Sequence, residues 1–200
     1  MNNEYSANTV KLSFWFLEFK KTVSLMSEGF TLDDIKQKNA EENLFASSSP
    51  ARSKLIMNTV SRRIQTLDPS FIRIFLKKSV GTQKLICLMT CMLSDSLFMD
   101  FVYEVVYKKL LDGTGYLTDV DVRIFFEDKR SQNKKISGWQ DCTLKRLGVC
   151  YKTMLAEANI IDNSRTKRKI TRPIVDLETE TWMKSQGIMP LLSSLKGDSQ

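Results

Sequence analysis

Residues 139–158, WQDCTLKRLGVCYKTMLAEA, carry the clearest helical pattern in the chain. Apolar residues recur there at steps of three and four, a spacing that places them on one face of an α-helix. They are Leu144, Leu147, Tyr151, Met154, Leu155 and Ala158. Lys145 and Lys152, which are seven residues apart, share one stripe of the other face, and Arg146 lies about a quarter-turn away. The sequence therefore predicts an amphipathic helix with a basic outer face.

The flanking segments extend this helix to a winged helix-turn-helix pattern. Thr118 is a suitable N-cap for a preceding helix that runs to Arg130, and the polar loop SQNKKISG follows it. After the amphipathic helix, residues 160–175 place a basic tip, NSRTKRK, between Ile160-Ile161 and ITRPIV, which predicts a hairpin. In a winged helix-turn-helix the second helix can lie in the major groove of DNA while the wing contacts the backbone.

The remainder of the chain is predicted to be helical, so the fold class is mostly α. Cap signals at Thr31, at Ser49-Pro50 and at Asp68-Pro69 each begin a helix. Residues 82–93 and 96–111 are apolar nearly all round, which is typical of helices buried on several sides. We expect a helical bundle over residues 1–115, a basic winged-helix-like subdomain over 116–188 and a tail over 189–200.

Positive charge is concentrated in one part of the chain. The formal net charge is +7, and residues 129–172 hold twelve Lys or Arg against three acidic residues, a local charge of +9 (12 minus 3). Such a surface suits a polyanion, because neutralised phosphates release counterions. The predicted nucleic-acid contacts in this segment are Lys134, Lys135, Lys145, Arg146, Lys152, Arg165, Lys167, Arg168, Lys169 and Arg172. A weaker group on the third predicted helix comprises Arg52, Lys54, Arg62 and Arg63. The alternative for both groups is a solvated helix face or a docking site for an acidic protein.

The residue types of the chain give little indication of a catalytic site. The chain has no histidine, which excludes Ser-His-Asp and Cys-His catalysis within it. Its four cysteines lack Cys-x-x-Cys spacing and are expected to be buried thiols, and there is no Walker loop. We therefore predict no catalytic residue, no metal, no cofactor and no small-molecule substrate. The longest nearly apolar run, residues 85–93, is half the length of a membrane span, so we expect a soluble, cytoplasmic protein without membrane contact.

Several stretches together resemble the BrxA family of the BREX bacteriophage-defence systems, in order and in spacing. They are Tyr5-Ser6-Ala7, LDDIKQKNAEENLF, SSSPARSKLIMNTVSRRIQTLDP, FMDFVYEVVYKKLL, LTDVDVRIFFEDKRSQ and TLKRL…YKTMLAEANIID. The resemblance covers about residues 5 to 162 and consists of many modest similarities, none of them a catalytic motif.

The resemblance implies a small accessory subunit encoded beside a methyltransferase, a phosphatase-like protein and large ATPases. It also implies a helical fold similar to the antitermination factor NusB. Family members have been labelled inner-membrane proteins, which this sequence contradicts because no segment is long enough to span.

These observations lead to one leading hypothesis and two alternatives. The leading hypothesis is a non-catalytic DNA-binding accessory subunit of a BREX-type system that contacts mainly the phosphate backbone of double-stranded DNA. The alternatives are a protein-interaction scaffold for the larger BREX subunits and an RNA-binding NusB-like protein.

Overall fold

The structure is a computed structural model that describes residues 5–197 of the chain. It is mostly helical, which confirms the predicted fold class. The described residues form two compact units. One unit, called here the inserted unit, spans Phe14–Ser94, and the other, the split unit, combines the residues up to Ser13 with those from Asp95 onward. This division differs from the boundary predicted at residue 115; compactness alone does not test that domain boundary, which stays a prediction.

The inserted unit contains five helices whose starts follow local capping chemistry. They are α1 (Phe16–Ser27), α2 (Leu32–Glu42), α3 (Pro50–Ile64), α4 (Phe71–Lys77) and α5 (Val80–Ser94). Thr31 and Asp34 form a reciprocal capping box at the start of α2. Ser49 caps α3 and Pro50 occupies its first turn. Both helix starts confirm the sequence prediction, because a cap is a local signal.

Aromatic rings and one apolar helix form the core of the inserted unit. The Phe19 ring lies 5.5 Å from the Phe75 ring and 6.3 Å from the Phe71 ring, and all three are buried. Residues 85–92 of α5 are buried throughout, as a helix without a polar face requires.

The split unit contains the remaining elements. It begins with a short 3₁₀-helix, Asn8–Lys11, and continues after Asp95 with α6 (Ser96–Phe101), a π-helical stretch (Val102–Tyr107) and α7 (Lys108–Leu111). The elements that follow are β1 (Tyr116–Thr118), α8 (Asp119–Gln132), α9 (Lys134–Ser137), α10 (Asp141–Glu157), β2 (Lys167–Lys169), α11 (Leu177–Ser185) and α12 (Met189–Lys196).

The N-terminal segment joins the split unit through buried polar contacts. The Thr9 hydroxyl donates to the Asp95 carboxylate at 2.5 Å, and the Tyr151 hydroxyl of α10 donates to the same oxygen at 3.3 Å. Asp95 also caps α6 by accepting from the amides of Leu97 and Phe98. Burial raises the pKa of Asp95, although these four donors oppose the shift.

Tyr151 lies at the centre of the aromatic core of the split unit. Its ring stacks on Phe98 at 4.7 Å and lies 5.6 Å from the Phe101 ring. Phe101 in turn meets Phe125 of α8 edge-on at 5.2 Å. Helices α8 and α10 approach so closely that a Cβ atom on Gly148 would lie only 2.6 Å from the Val122 side chain. These contacts fix α10 with its basic residues directed away from the core.

The strand pairing gives the split unit a winged-helix topology. β1 pairs antiparallel with β2, with Leu117 opposite Arg168, and a single bridge joins Ile161 to Ile170. The order strand, helix, short helix, helix, bridging residue, loop and returning strand resembles that of a winged helix-turn-helix, with α9 between the two longer helices and the wing between the last two pairing segments.

Two details of the prediction need correction. The hairpin expected over residues 160–175 is reduced to the Ile161–Ile170 bridge, because the strand at 167–169 pairs with β1, which precedes α8. Residues 189–196, expected within a tail, form α12, since Leu192 and Leu195 are buried. Residues 198–200 of the predicted tail lie outside the described residues.

Candidate nucleic-acid interface

The outer face of α10 carries an exposed basic pair of the predicted interface. Lys145 and Arg146 are exposed, while Leu147 and Tyr151 on the opposite face are buried. Val149 lies one turn further along the exposed face and is itself 58% exposed. The helix therefore presents two cations and one aliphatic side chain outward, the types of side chain that contact phosphates and thymine methyl groups.

Asp119 ties the wing strand to α10. Its Oδ1 atom accepts from Lys152 Nζ at 2.5 Å and from Arg168 Nη1 at 3.0 Å. Arg168 also donates to the carbonyl oxygen of Arg165 at 2.6 Å. We call Asp119, Lys152 and Arg168 the Asp119 clamp. Lys152 was predicted to share an exposed stripe with Lys145, but in the clamp its side chain is only 17% exposed.

The clamp stabilises the charged form of Asp119. The hydrogen bond from Lys152, with the charges of Lys152 and Arg168, lowers the pKa of Asp119 below its ordinary value. The carboxylate is therefore charged at neutral pH and neutralises part of the charge that the sequence assigns to the wing. Lys152 and Arg168 both donate to Asp119, and these bonds hold β2 next to α8 and α10.

The wing keeps three exposed cations. Arg165, Lys167 and Lys169 are all exposed. Lys167 places its ammonium 4.2 Å from the centroid of the Tyr116 ring, a cation–π contact across the two strands. Because Lys167 and Lys169 alternate with Arg168 along β2, their side chains point to the face opposite the clamp.

The other predicted contacts of the split unit lie on α9 and after β2. Lys134 and Lys135 are exposed on α9, a single turn capped by Asn133. Arg172 donates to the backbone oxygen of Leu110 at 3.4 Å. The structure thus places ten predicted contacts in one unit and shows that Lys152, Arg168 and Arg172 make intramolecular contacts.

Two further cations of the basic segment are engaged internally. Lys129 is buried and contacts Asp100 Oδ2 and Glu104 Oε1, each at 2.6 Å. Burial opposes its charge, but hydrogen bonds and attraction from both carboxylates raise its pKa overall. Arg130 donates to Asp141 at 2.6 Å and to the carbonyl oxygen of Trp139. The local charge of +9 therefore overstates the positive charge that the surface offers.

The second basic group divides within α3 of the inserted unit. Arg52, Lys54 and Arg62 are exposed, and Lys54 lines a polar cavity of about 510 Å³ between α2 and α3. Arg63 is 3% exposed and donates to the backbone oxygen of Phe14 at 2.7 Å. Its guanidinium also lies 5.9 Å from the ring of Trp15. Of this predicted group, Arg63 therefore lies in the core, and the other three residues lie at the surface.

A groove that the sequence did not indicate runs between α8 and α10. It has a volume of about 460 Å³, with Val120 of α8 and Val149 of α10 both about half exposed at its sides. Lys145 also lines it. In the sequence Val120 lies between two aspartates, whereas Val149 lies between Gly148 and Cys150, so no shared local pattern marks the two valines as neighbours.

The cysteines and carboxylates form no metal cluster among residues 5–197. Cys87 and Cys91 are buried, as predicted, and Cys150 is half-buried. Cys142 is exposed on α10, contrary to the expectation of a buried thiol, because it precedes the first apolar position of that helix. Within the same residues, no single helix is long and apolar enough to cross a bilayer; α5 together with the helical stretch Ser96–Leu111 reaches that length and composition only as a bent pair.

Known proteins with similar structures or sequences match most of this chain. A crystal structure of an uncharacterized protein from Magnetospirillum magneticum has a TM-score of 0.80 and 19% identity, and the match covers 98% of this chain and 100% of that one. At this identity the likeness supports the fold alone. A "BREX protein BrxA" from Escherichia coli O9:H4 (strain HS) is 24% identical over 161 residues, which are 78% of this chain and 72% of the relative.

A second relative and a family model identify the family. A "BREX protein BrxA" from Bacillus cereus (strain H3081.97) is 34% identical over 172 residues, which are 86% of this chain and 86% of the relative. The model of the BrxA family matches residues 3–187. With nearly the whole length matched and this level of identity, the chain belongs to the BrxA family.

Proposed function

We propose that this protein is a DNA-binding subunit of a BREX-type phage-defence system and contacts mainly the phosphate backbone of duplex DNA. Both curated relatives are named BREX proteins. Their names support membership of this chain in a BREX system, with other BREX subunits as its partners. The observation that carries DNA binding is the set of exposed cations on α10 and β2, on elements joined by the Asp119 clamp.

A major-groove geometry follows from the winged-helix topology. In that geometry α10 is the recognition helix, and Lys145 and Arg146 contact phosphates at the groove edge. Lys167 and Lys169 on the wing contact the neighbouring backbone. Because phosphate contacts carry no sequence information, we expect similar affinity for unrelated duplexes.

The test is a titration of duplex DNA across a salt series with two charge-reversal variants. K145E/R146E removes the α10 cations and K167E/K169E removes the wing cations; each variant lowers the formal net charge from +7 to +3 (7 minus 4). Each phosphate contact contributes about 0.9 to the salt slope, so each variant should lose about 1.8 from that slope. The loss of affinity should be similar on unrelated sequences.

A matched control separates an interface from a general charge effect. K36E/K38E makes the same charge change on α2, where both lysines already pair with carboxylates at 2.8 and 2.7 Å. This control should bind DNA much as the wild type does. Equal weakening in all three variants, or full affinity in both interface variants, would contradict the proposal. Competition between RNA and duplex DNA in the same assay decides whether the bound polyanion is RNA.

The second candidate function is a docking site for the larger BREX subunits. The groove between α8 and α10 favours it, since Val120 and Val149 leave apolar surface exposed beside charged residues. Co-purification of a BREX subunit that survives nuclease treatment, lost on V120Q/V149Q but kept in K145E/R146E, would favour docking over DNA binding.

A further inference from the structure

Two apolar features of the split unit are exposed and complementary. The first is the groove between α8 and α10, where Val120 and Val149 are about half exposed. The second is the start of α11 and the segment before it, where Ile174 is 93% exposed and Leu177 is 79% exposed. We call Ile174 and Leu177 the anchor pair. Aliphatic side chains this exposed, three residues apart, are costly to leave in water.

The chain does not cover its own groove with its own anchor pair. Ile174 lies in the irregular segment 171–176, and Leu177 is the first residue of α11, directly after the helix cap Asp176. Both side chains are exposed to solvent among residues 5–197, so they are accessible to another molecule.

Electrostatics favour the groove as the place where the anchor pair binds. Residues 173–178 hold two acidic residues, Asp176 and Glu178, and no Lys or Arg. The groove is lined by four cations and three carboxylates, a net charge of +1 (4 minus 3), and Arg146 is exposed beside it on α10. Residues 173–178, with a net charge of −2 (0 minus 2), are thus opposite in charge to the groove, and their aliphatic side chains match its two exposed valines.

We infer that the groove between α8 and α10 binds residues 173–178 of a second copy of this chain. Ile174 and Leu177 pack against Val120 and Val149, and the acidic residues that flank the anchor pair face Lys145 and Arg146. The contact joins two different surfaces of the same protein, so it is heterologous. Lys145 and Arg146 are also the phosphate contacts of the proposed function, so the inference is tested without DNA, by the oligomeric state of the protein alone.

The experiment is sedimentation of the full chain over about a hundredfold concentration range, since self-association follows mass action. The wild type should sediment as larger species at high concentration. An anchor variant, I174S/L177S, and a groove variant, V120Q/V149Q, should each weaken association at least about tenfold. All four positions are about half exposed or more, so both variants should fold.

A mixture of the two variants gives the sharpest result. The anchor variant keeps an intact groove and the groove variant keeps an intact anchor pair, so an equimolar mixture should associate although neither variant does so alone. L17S/V80S, which alters two exposed aliphatic residues of the inserted unit, is the control and should associate like the wild type. A wild type that stays monomeric, a mixture that stays monomeric, or a control that dissociates would overturn the inference.

Discussion

Lys129 and Lys145 belong to the same basic segment of the sequence, yet their surroundings are opposite. Lys129 is buried between two carboxylates, with its ammonium 3.4 Å from the Tyr5 hydroxyl and 5.5 Å from the centroid of the Phe125 ring. We call Lys129, Asp100 and Glu104 the Lys129 cluster. Lys145 is exposed on the outer face of α10. A charge count treats the two alike, but only the second can meet a ligand without dismantling the fold.

The comparison separates cations that stabilise the fold from cations that can bind. A buried charge that loses its partner is strongly destabilising, whereas an exposed charge contributes little to stability. The following predictions test this separation by measured free energies of unfolding, in decreasing order of expected effect.

Replacing Lys129 by Met should lower the free energy of unfolding by about 3 kcal/mol, because Asp100 and Glu104 would lose a shared cation. Methionine keeps most of the stem volume, so the change tests the charge. Urea denaturation measures the loss, and K108M, at an exposed lysine of α7, is the control with no comparable effect. Equal stability of the two variants would mean that the Lys129 cluster contributes nothing.

Arg63→Met should lower the free energy of unfolding by about 2 kcal/mol, since the buried backbone oxygen of Phe14 loses a donor. The neighbouring Arg62→Met alters an exposed side chain of the same helix and should leave stability within about 0.5 kcal/mol. Thermal and urea denaturation of the pair compare a core arginine with a surface arginine. If Arg62→Met were the more damaging of the two, the burial assigned to Arg63 would be contradicted.

Asp119→Asn should lower stability by less than about 1 kcal/mol, because the carboxylate is 61% exposed and screened by solvent. The effect depends on pH. The pKa of folded Asp119 lies below its ordinary value of 3.8, so its contribution is present above 3.8 and is lost as the pH falls through the folded pKa. Urea denaturation at neutral pH and well below pH 3.8 should show the difference from wild type shrinking in acid; a constant difference would argue against the clamp.

K145E/R146E should leave the free energy of unfolding within about 0.5 kcal/mol of wild type, the smallest effect of the series. The same variant is expected to lose DNA affinity under the proposed function. Measuring both quantities on one preparation distinguishes a lost interface from a lost fold. A large loss of stability would move this pair into the same class as Lys129.

Local signals made much of the fold predictable. The capping box at Thr118, the Ser49-Pro50 start of α3 and the apolar steps of α10 each act within one or two helical turns, and the structure has all three helices. The all-round apolar character of residues 82–93 likewise indicated burial. Such features require no knowledge of distant partners.

Pairings between residues that are distant in the sequence could not be predicted from it. Strand β1 is three residues long and pairs with a strand about fifty residues later, so neither strand shows a pattern by itself. Lys129 resembled a surface lysine because its partners, Asp100 and Glu104, lie on another helix. The candidate interface was therefore predicted in its residue types, whereas its division into exposed cations and clamp residues required the structure. The similarity to NusB stays a prediction.

The split unit also bears on synthesis of the chain at the ribosome. Residues 5–13 are made before the inserted unit, whereas Asp95, which binds Thr9, and Tyr151, which binds Asp95, are made after it. The inserted unit, Phe14–Ser94, has all of its own sequence available before then. At roughly 5–20 residues per second, residues 5–13 wait about 3–11 s after residue 94 until Tyr151 is translated. A nascent chain stalled after the inserted unit should expose Thr9 and Tyr5 to protease, and completion of α10 should protect them.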